Sequence, residues 1–126
     1  MAGYVSAFSR KKVLVLGDMV ADEYIVGKPA RISREAPVLI LHHTEEFICP
    51  GGAGNVAVNL AALGAQTVVV GVVGDDQNGR RLKCRLEEAG VETEGLFVDA
   101  DRPTATKTRV VGRGTQEMQQ QIVRID

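Results

Sequence analysis

The sequence predicts an α/β fold in which short buried strands alternate with helices and a small β-sheet insertion interrupts the alternation. Two continuous apolar runs, Lys12–Leu16 and Gln66–Val73, are typical of strands buried on both faces of a parallel sheet. Two segments have helical periodicity, one ending at Gly64 and one spanning Gly79–Ala89. Residues 22–49 contain β-prone segments without a helical pattern, so they are predicted to lie outside this order.

Composition places the chain among ordinary globular domains. It has 126 residues, of which 44% are hydrophobic and 25% charged, and a formal net charge of −1. That charge predicts neither nucleic-acid nor membrane binding, and no apolar run approaches the roughly 18 residues of a membrane span. Two cysteines make no disulfide framework and suit a reducing compartment, so we expect a cytoplasmic protein. Residues 1–11 lack the apolar core of a secretory signal and are predicted to be a flexible tail before one domain at 12–126.

Asp18 is the first candidate site residue. It comes directly after the strand Lys12–Leu16, at the carboxyl end where open α/β sheets bind their ligands. A carboxylate at this place is either a ligand-binding group or a turn residue, and the local sequence leaves both interpretations open.

The insertion at about residues 22–49 is predicted to be a small antiparallel β-sheet. Its β-prone segments are Asp22–Gly27, Pro37–His42 and Thr44–Cys49. An excursion of this kind from an α/β fold usually forms a lid or a dimer surface. The predicted turn Ala30–Ala36 is either a binding element or a solvated loop. Its polar candidates are Arg31, Ser33 and Glu35.

The residue types that bind metals or act as nucleophiles indicate no site. His42 and His43 are adjacent in a predicted strand, so their side chains point to opposite faces and do not readily share one ion. Cys84 lies in a predicted helix with no histidine nearby in sequence, and we expect it to be a small packing residue.

A glycine-rich turn joins a strand to a helix within Pro50–Gly64. Gly51 and Gly52 allow positive φ and close approach of the backbone to a ligand. The first amides of the helix suit an oxygen-rich or anionic ligand. The predicted apolar stripe of the helix consists of Val56, Leu60 and Leu63. Asn55 and Asn59 are four residues apart and share a face, so we expect a small polar ligand here.

The second half of the chain continues the alternation and ends in a hairpin. The helix Gly79–Ala89 has an apolar stripe of Leu82, Leu86 and Ala89, and Gly95–Val98 is a candidate third parallel strand. The predicted arms of the hairpin, a second β lid element at about 104–126, are Thr104–Gly112 and Met118–Ile125. Lys107 and Arg109 share one face of the first arm and form a paired cationic feature, which is either part of a site or an exposed charged edge.

The glycine turn also fits a dinucleotide-binding pattern. Gly52–Ala57 matches G-x-G-x-x-A, and Asp75 follows roughly twenty residues later. That fingerprint requires a buried strand leading directly into the first glycine. Here Thr44–Cys49 is amphipathic and is followed by Pro50, so a dinucleotide-binding domain is the weaker alternative.

The run Gly51–Gly64 resembles the first signature of the ribokinase-like (pfkB) carbohydrate kinases. Gly17-Asp18 and Val70–Gly79 match the same family, and Val91-Glu92-Thr93 stands where the family usually has Val-Asp-Thr. The resemblance covers Lys12–Asp126. It implies a ribokinase-like (Rossmann-like) sheet with flanking helices and a small β-sheet lid, truncated within this chain.

The resemblance implies roles for the candidates around the glycine turn. Asp18 is expected to accept hydrogen bonds from sugar hydroxyls, because a carboxylate is an acceptor only and can take two at once. Gly51 and Gly52 are expected to let the backbone approach the sugar and to act as the hinge of the lid. Asn55 is expected to bind further hydroxyls from the start of the helix.

Within the family, Arg31–Val38 and Thr106–Val110 resemble the heptose 7-phosphate kinases. Those are often one half of bifunctional ADP-heptose synthases, which supply lipopolysaccharide core assembly. The resemblance implies that Lys107 and Arg109 bind the substrate's own phosphate through charge-assisted bonds. Three lid residues are expected near the substrate or at a dimer contact: Arg31, Ser33 and Glu35.

The catalytic base of these kinases is an aspartate in a late glycine-rich motif, which starts another helix near the ATP site. Gly52-Ala53-Gly54-Asn55 has Asn where a base needs a carboxylate, and we find no later motif. ATP and Mg²⁺ are therefore implied for the complete kinase with no binding residue here, and we expect this chain to be inactive alone. Unpaired strand edges predict homo-oligomers, with a dimer through the β lid. A non-catalytic sugar-binding or dimerisation module is the remaining alternative.

Overall fold

The structure is a computed structural model that describes residues 7–114 and 119–126. A single 3-10 turn at Phe8–Arg10 precedes the first strand, and the flexibility of the tail stays a prediction. The strands are β1 (Lys12–Leu16), β2 (Met19–Ile32), β3 (Leu39–Gly52), β4 (Gln66–Gly74), β5 (Val91–Asp99), β6 (Thr106–Arg113) and β7 (Gln119–Ile125). The helices are α1 (Ala53–Ala62) and α2 (Gln77–Glu88). Among the described residues, no helix combines the length and hydropathy that crossing a bilayer requires.

The chain divides into two compact units, each with its own sheet. The first unit takes in the described residues up to Ala21 together with Ile48–Thr106, and the second takes in Asp22–Phe47 and Lys107–Asp126. One sheet has the strand order β1-β4-β5 and the other has the order β3-β2-β6-β7. The predicted α/β fold with a separate β element is confirmed.

The sheet of the first unit is parallel throughout, as the apolar runs predicted. β1 pairs with β4 so that Leu14 lies opposite Val68, and β4 pairs with β5 so that Val72 lies opposite Phe97. β5 begins four residues before the predicted Gly95–Val98 segment.

One face of this sheet carries the core of the first unit. Leu82 and Leu86 of α2 are fully buried, as their helical spacing predicted. They pack with Val69 and Val73 of β4 and with Ala57 of α1. Val15 lies opposite Val69 in the neighbouring strand and joins the same cluster.

In the part of the chain that the structure describes, large apolar side chains on the other face of the sheet are exposed, so the predicted burial of the first strand on both faces is wrong. The exposed fractions are 63% for Leu14, 75% for Leu16 and 63% for Phe97. Adjacent strand residues point to opposite faces, and the helical residues of the core cluster lie on the side of Val15 and Val69. An all-apolar strand therefore has only one buried face in this chain.

The predicted apolar stripe of α1 is also wrong. Val56 and Leu63 are 51% and 49% exposed, whereas Ala57 and Gly54 are buried. A Cβ added at Gly54 would lie 3.1 Å from the Pro50 Cβ, so the helix packs through its smallest residues. Small side chains allow a closer approach than a leucine stripe would.

The second unit is built on two long strands rather than three short segments. β2 and β3 run for 14 residues each, and β3 takes in both the predicted segment Thr44–Cys49 and the predicted segment Pro37–His42 from Leu39 onward. β2 continues to Ile32, which places Arg31 in the strand instead of the predicted turn. β6 and β7 form the predicted antiparallel hairpin, with Arg109 opposite Arg124. Thr115, between the two predicted arms, and Met118, at the start of the second arm, lie outside the described residues.

Candidate functional site

The end of β1 and the start of α1 are joined at the glycine turn. The Ala53 N–H donates to the Asp18 carbonyl oxygen at 3.0 Å. Gly52 has φ 55° and ψ −129°, and a Cβ there would lie 2.6 Å from the same Asp18 oxygen. Only glycine fits at this distance from the Asp18 oxygen. Gly52, predicted to allow ligand binding, therefore also allows Asp18 to lie beside the start of the helix.

Asn55 and Asn59 share one face of α1, as their spacing predicted. The Asn59 Nδ2 donates to the Asn55 carbonyl oxygen at 2.8 Å and to its Oδ1 at 3.2 Å. Both side chains are exposed. Asn59 thus orients the amide of Asn55, whose NH₂ group is the part that can donate to a ligand.

The first unit therefore presents an exposed carboxylate and an exposed amide next to a helix N-terminus. Asp18, Gly51, Gly52 and Asn55 all belong to this unit, and the contacts of Gly52 and Ala53 with the Asp18 carbonyl oxygen bring Asp18 beside the start of α1. Carboxylate oxygens accept from hydroxyls and the amide both donates and accepts, which is the chemistry of polyol binding. In residues 7–114 and 119–126, no group of three or more His, Cys, Asp or Glu residues could hold a metal ion.

Arg109 is the centre of a polar cluster in the second unit. Its Nη1 donates to the Asp22 Oδ1 at 2.7 Å, and its Cζ lies 5.3 Å from the centre of the Tyr24 ring. The two charged side chains are only 21% and 23% exposed. The hydrogen bond to Asp22 raises the pKa of Arg109 further above its ordinary value, against the opposing effect of burial.

The cationic feature is larger than Lys107 and Arg109. Arg124 of β7 lies directly opposite Arg109 in the antiparallel ladder, so the two side chains share a face. Arg124 also pairs with Asp126 through its Nε, at 2.7 Å. The pattern within the first arm could not indicate Arg124, because this neighbour is set by the register of the hairpin.

Ser33 and Glu35 lie in the loop between β2 and β3. The Glu35 N–H donates to the Ser33 Oγ at 3.2 Å, and the Ser33 N–H donates to the Val38 carbonyl oxygen at 2.8 Å. These contacts stabilise the loop itself and do not involve Lys107 or Arg109. Arg31 is exposed near the end of β2.

Asp76 organises a network in the first unit that sequence reasoning missed. Its Oδ1 accepts from the Gly79 N–H and from the Thr104 hydroxyl, and its Oδ2 accepts from the Thr104 N–H, each at 2.7 Å. The Thr104 Oγ1 in turn accepts from the Gly74 N–H at 2.9 Å. Burial acts to raise the pKa of Asp76, but the hydrogen bonds from Thr104 and Gly79 outweigh it and lower the pKa.

Cys84 is exposed on α2, which corrects the expectation that it packs in the interior. Its Sγ donates to the Glu88 Oε1 at 3.6 Å. The negative charge of Glu88 raises the pKa of the thiol, so the thiolate is disfavoured at neutral pH.

The strand that precedes the glycine turn settles the weaker alternative. β3 runs directly into Gly52, but it lies beside β2 in the four-stranded sheet and not in the parallel sheet of β1, β4 and β5. Asp75, the candidate acidic residue, pairs with Arg80 at 2.7 Å. A dinucleotide-binding fold has a buried parallel strand directly before its glycines, and β3 is not such a strand.

Residues 10–124 match the model of the pfkB family carbohydrate kinases. The chain is 50% identical over 115 residues to the bifunctional protein HldE of Citrifermentans bemidjiense, an alignment that covers 91% of this chain and 23% of that protein. It is 49% identical over 122 residues to the HldE of Desulfatibacillum aliphaticivorans, covering 97% of this chain and 24% of that one. This chain thus spans about a quarter of the length of these curated relatives.

A solved structure gives the same fold. A carbohydrate kinase from Agrobacterium tumefaciens superimposes with a TM-score of 0.70 at 26% identity, over 91% of this chain and 34% of that one.

Proposed function

The chain belongs to the pfkB family of carbohydrate kinases, and on that premise we propose that it forms the sugar-phosphate-binding part of a heptose 7-phosphate kinase. The observation that carries this proposal is the 50% identity over 115 residues to a bifunctional protein HldE. The resemblance of Arg31–Val38 and Thr106–Val110 to heptose 7-phosphate kinases supports the same substrate class. On this proposal the product feeds ADP-heptose and lipopolysaccharide core synthesis.

The exposed groups of the first unit are proposed to bind the sugar. Asp18 accepts hydrogen bonds from two sugar hydroxyls, and the Asn55 amide, oriented by Asn59, binds another. Gly51 and Gly52 keep side chains out of this surface and serve as a hinge for the lid. Each group acts in binding and orientation, which is how kinases of this kind lower the entropy cost of phosphoryl transfer.

The cations of the second unit are proposed to bind the substrate's own phosphate. Lys107 and Arg109 supply charge-assisted donors, and Arg is suited to the planar, bidentate recognition of phosphate oxygens. The lid residues Arg31, Ser33 and Glu35 are proposed to lie near the substrate or at a contact between subunits of a dimer.

ATP is the proposed phosphoryl donor, with Mg²⁺ balancing the charge of its phosphates. A solved relative, a ribokinase from Cryptococcus neoformans in complex with ADP, supports an adenine nucleotide; it has a TM-score of 0.56 at 26% identity, over 89% of this chain and 33% of that one. We propose that the catalytic base and the nucleotide-binding residues lie in the part of the longer relatives that this chain does not match. The 126-residue chain alone is then inactive, and the working kinase is a cytoplasmic homo-oligomer.

Ligand-dependent stability tests the proposed function. We expect heptose 7-phosphate to raise the melting temperature of the chain, whereas fructose 6-phosphate, ATP and NAD do not. A ligand at a hundred times its Kd stabilises the folded state by about 2.7 kcal/mol, which a thermal-shift measurement detects easily. Asp18→Asn removes the acceptor charge and is expected to abolish the shift. Glu94→Gln, an exposed carboxylate on β5, is the matched control and should retain it.

Three outcomes would each overturn a part of the proposal. A shift with NAD and none with the sugar phosphate would favour a dinucleotide-binding domain. An Asp18→Asn variant that keeps the full shift would place the sugar elsewhere. Steady ATP-dependent phosphorylation of heptose 7-phosphate by the purified chain would overturn the proposed inactivity, because base and nucleotide site would then be present.

A further inference from the structure

We propose that Asp22 and Tyr24 are positioning residues that hold the Arg109 guanidinium in the orientation needed to bind the phosphate of a sugar phosphate. This inference rests on the proposed function and deepens it, because it names groups that determine the preference for a phosphorylated substrate. Neither residue was a candidate on sequence grounds.

Arg109 is held from two directions. The Asp22 carboxylate takes a hydrogen bond from Nη1 at 2.7 Å, which fixes one edge of the guanidinium. The Tyr24 ring lies beneath its centre at 5.3 Å, which restricts the tilt of the guanidinium plane. A guanidinium has further N–H donors in the same plane, so an Arg held in this way still offers donors for bidentate binding of phosphate oxygens.

Tyr24 is itself held in place. Its ring stacks on Phe47, with ring centres 5.0 Å apart and an angle of 11° between the planes. Phe47, Tyr24, Arg109 and Arg124 lie on β3, β2, β6 and β7, which are consecutive neighbours in the sheet. The contacts therefore form one row across a sheet face, from a stacked aromatic pair to two arginines.

Charge gives Asp22 a second effect. Arg124 lies directly opposite Arg109, and the two guanidinium groups repel one another. Asp22 attracts Arg109 and Asp126 attracts Arg124, so each arginine has its own carboxylate. Without the Asp22 charge, repulsion by Arg124 pushes the Arg109 guanidinium away from this position, and the Arg109 side chain can also adopt other rotamers.

Binding selectivity tests the inference in the full chain. Calorimetric titration measures the Kd for heptose 7-phosphate and for the unphosphorylated heptose, and their ratio is the phosphate preference. We expect Arg109→Ala to reduce the preference more than any other single change, to the part that Lys107 contributes. Asp22→Asn and Tyr24→Leu should each reduce it about tenfold, while the Kd for the unphosphorylated sugar stays the same. Tyr24→Phe keeps the aromatic face and should retain the preference.

Glu45→Gln is the matched control. It breaks the 2.9 Å ion pair between Arg113 and Glu45, which lies in the same unit and joins β6 to β3, as the Asp22–Arg109 pair joins β6 to β2. If loss of an ion pair merely loosens the sheet, this control will reduce binding as much as Asp22→Asn does. In an Arg109→Ala background, Asp22→Asn should not reduce the phosphate preference further, because Asp22 acts on the phosphate through Arg109.

The outcomes separate this inference from the function on which it rests. A chain with no phosphate preference, or an Arg109→Ala variant that keeps it, would overturn the proposed phosphate site. A preference that falls sharply in Arg109→Ala but stays intact in Asp22→Asn and Tyr24→Leu would overturn the positioning roles alone. Equal weakening toward both sugars, matched by Glu45→Gln, would assign Asp22 a structural role instead.

Discussion

Asp76 stabilises the start of α2 and the segment around Thr104 at the same time. Its carboxylate accepts from the Gly79 N–H inside the first turn and from both donors of Thr104. Charge-assisted hydrogen bonds of this kind contribute more than neutral ones, and the lowered pKa of Asp76 reflects them. One side chain thereby fastens a helix end to a segment 28 residues away in sequence.

Asp76→Asn is expected to destabilise the chain by about 2 kcal/mol at pH 7, because the variant loses charge-assisted bonds to buried donors. The ionised form is favoured in the folded state, so this contribution is fully present above the ordinary pKa of 3.8. It is lost as the pH falls below that value and passes through the lowered pKa of the folded state. Urea unfolding between pH 7 and pH 3 measures this effect. The free energies of unfolding of the unmodified chain and of Asp76→Asn should become similar only at the acidic end of this range.

The control is the neighbouring carboxylate. Asp75 pairs with Arg80 at the surface, where the two side chains are 63% and 68% exposed, and exposed pairs contribute little. Asp75→Asn should leave the unfolding curve nearly unchanged at every pH. If Asp76→Asn behaved in the same way, the network around Thr104 would not contribute to stability.

Residue types and spacing predicted one part of the candidate site but not the other. Asp18, Gly52 and Asn55 could be named because they are close in sequence to one strand end or one helix start. Asp22, Tyr24 and Arg124 could not, because their relation to Arg109 depends on which strands pair and in which register. Long-range pairing is the information that a local pattern lacks.

At the scale of elements, the glycine turn shows how a local backbone constraint joins β1 to α1. Gly52 combines φ 55° with a carbonyl oxygen 2.6 Å from where a Cβ would lie. Gly90, at the end of α2, also has positive φ, at 79°, but nothing lies within 4 Å of its added Cβ. A comparison of Gly52 with Gly90 therefore separates two costs of adding a side chain. Both positions have the cost of a positive φ, and only Gly52 has the cost of a steric clash.

Gly52→Ala is expected to cost about 3 kcal/mol or more in the free energy of unfolding, because conformational strain and overpacking add. Gly90→Ala should cost only about 1 kcal/mol, since strain acts alone. Chemical unfolding followed by circular dichroism measures both values. An equal loss of unfolding free energy in the two variants would mean that the turn relaxes around the new methyl group. The close approach to Asp18 would then not require glycine at position 52.

The helices illustrate when periodicity succeeds. Leu82 and Leu86 of α2 are buried as predicted, because that helix is otherwise strongly charged and has only one apolar face. α1 is apolar nearly all round, so several faces fit the pattern equally well. Close packing then selected the side with Gly54 and Ala57, and Val56 was left exposed.

At the scale of the whole molecule, the parallel order of the sheet followed from the apolar runs, but the number of its covered faces did not. β1 and β4 have the composition of strands buried twice. Leu14 and Leu16 of β1 are nevertheless exposed, and so is Phe97 of β5. Composition records the faces that a strand can bury, whereas the elements present in the chain decide which faces are buried.

This uncovered apolar face is expected to make the purified chain self-associate, because contiguous exposed apolar surface favours contact with another molecule. Leu16→Lys places a charge at a position that is already 75% exposed, so it should reduce association without unfolding the chain. Sedimentation velocity across a range of protein concentrations measures the effect. Val56→Lys, at a 51% exposed position on α1, is the matched control and should associate like the unmodified chain. If Leu16→Lys left the association unchanged, the contact would involve another surface, with the β lid the next to test.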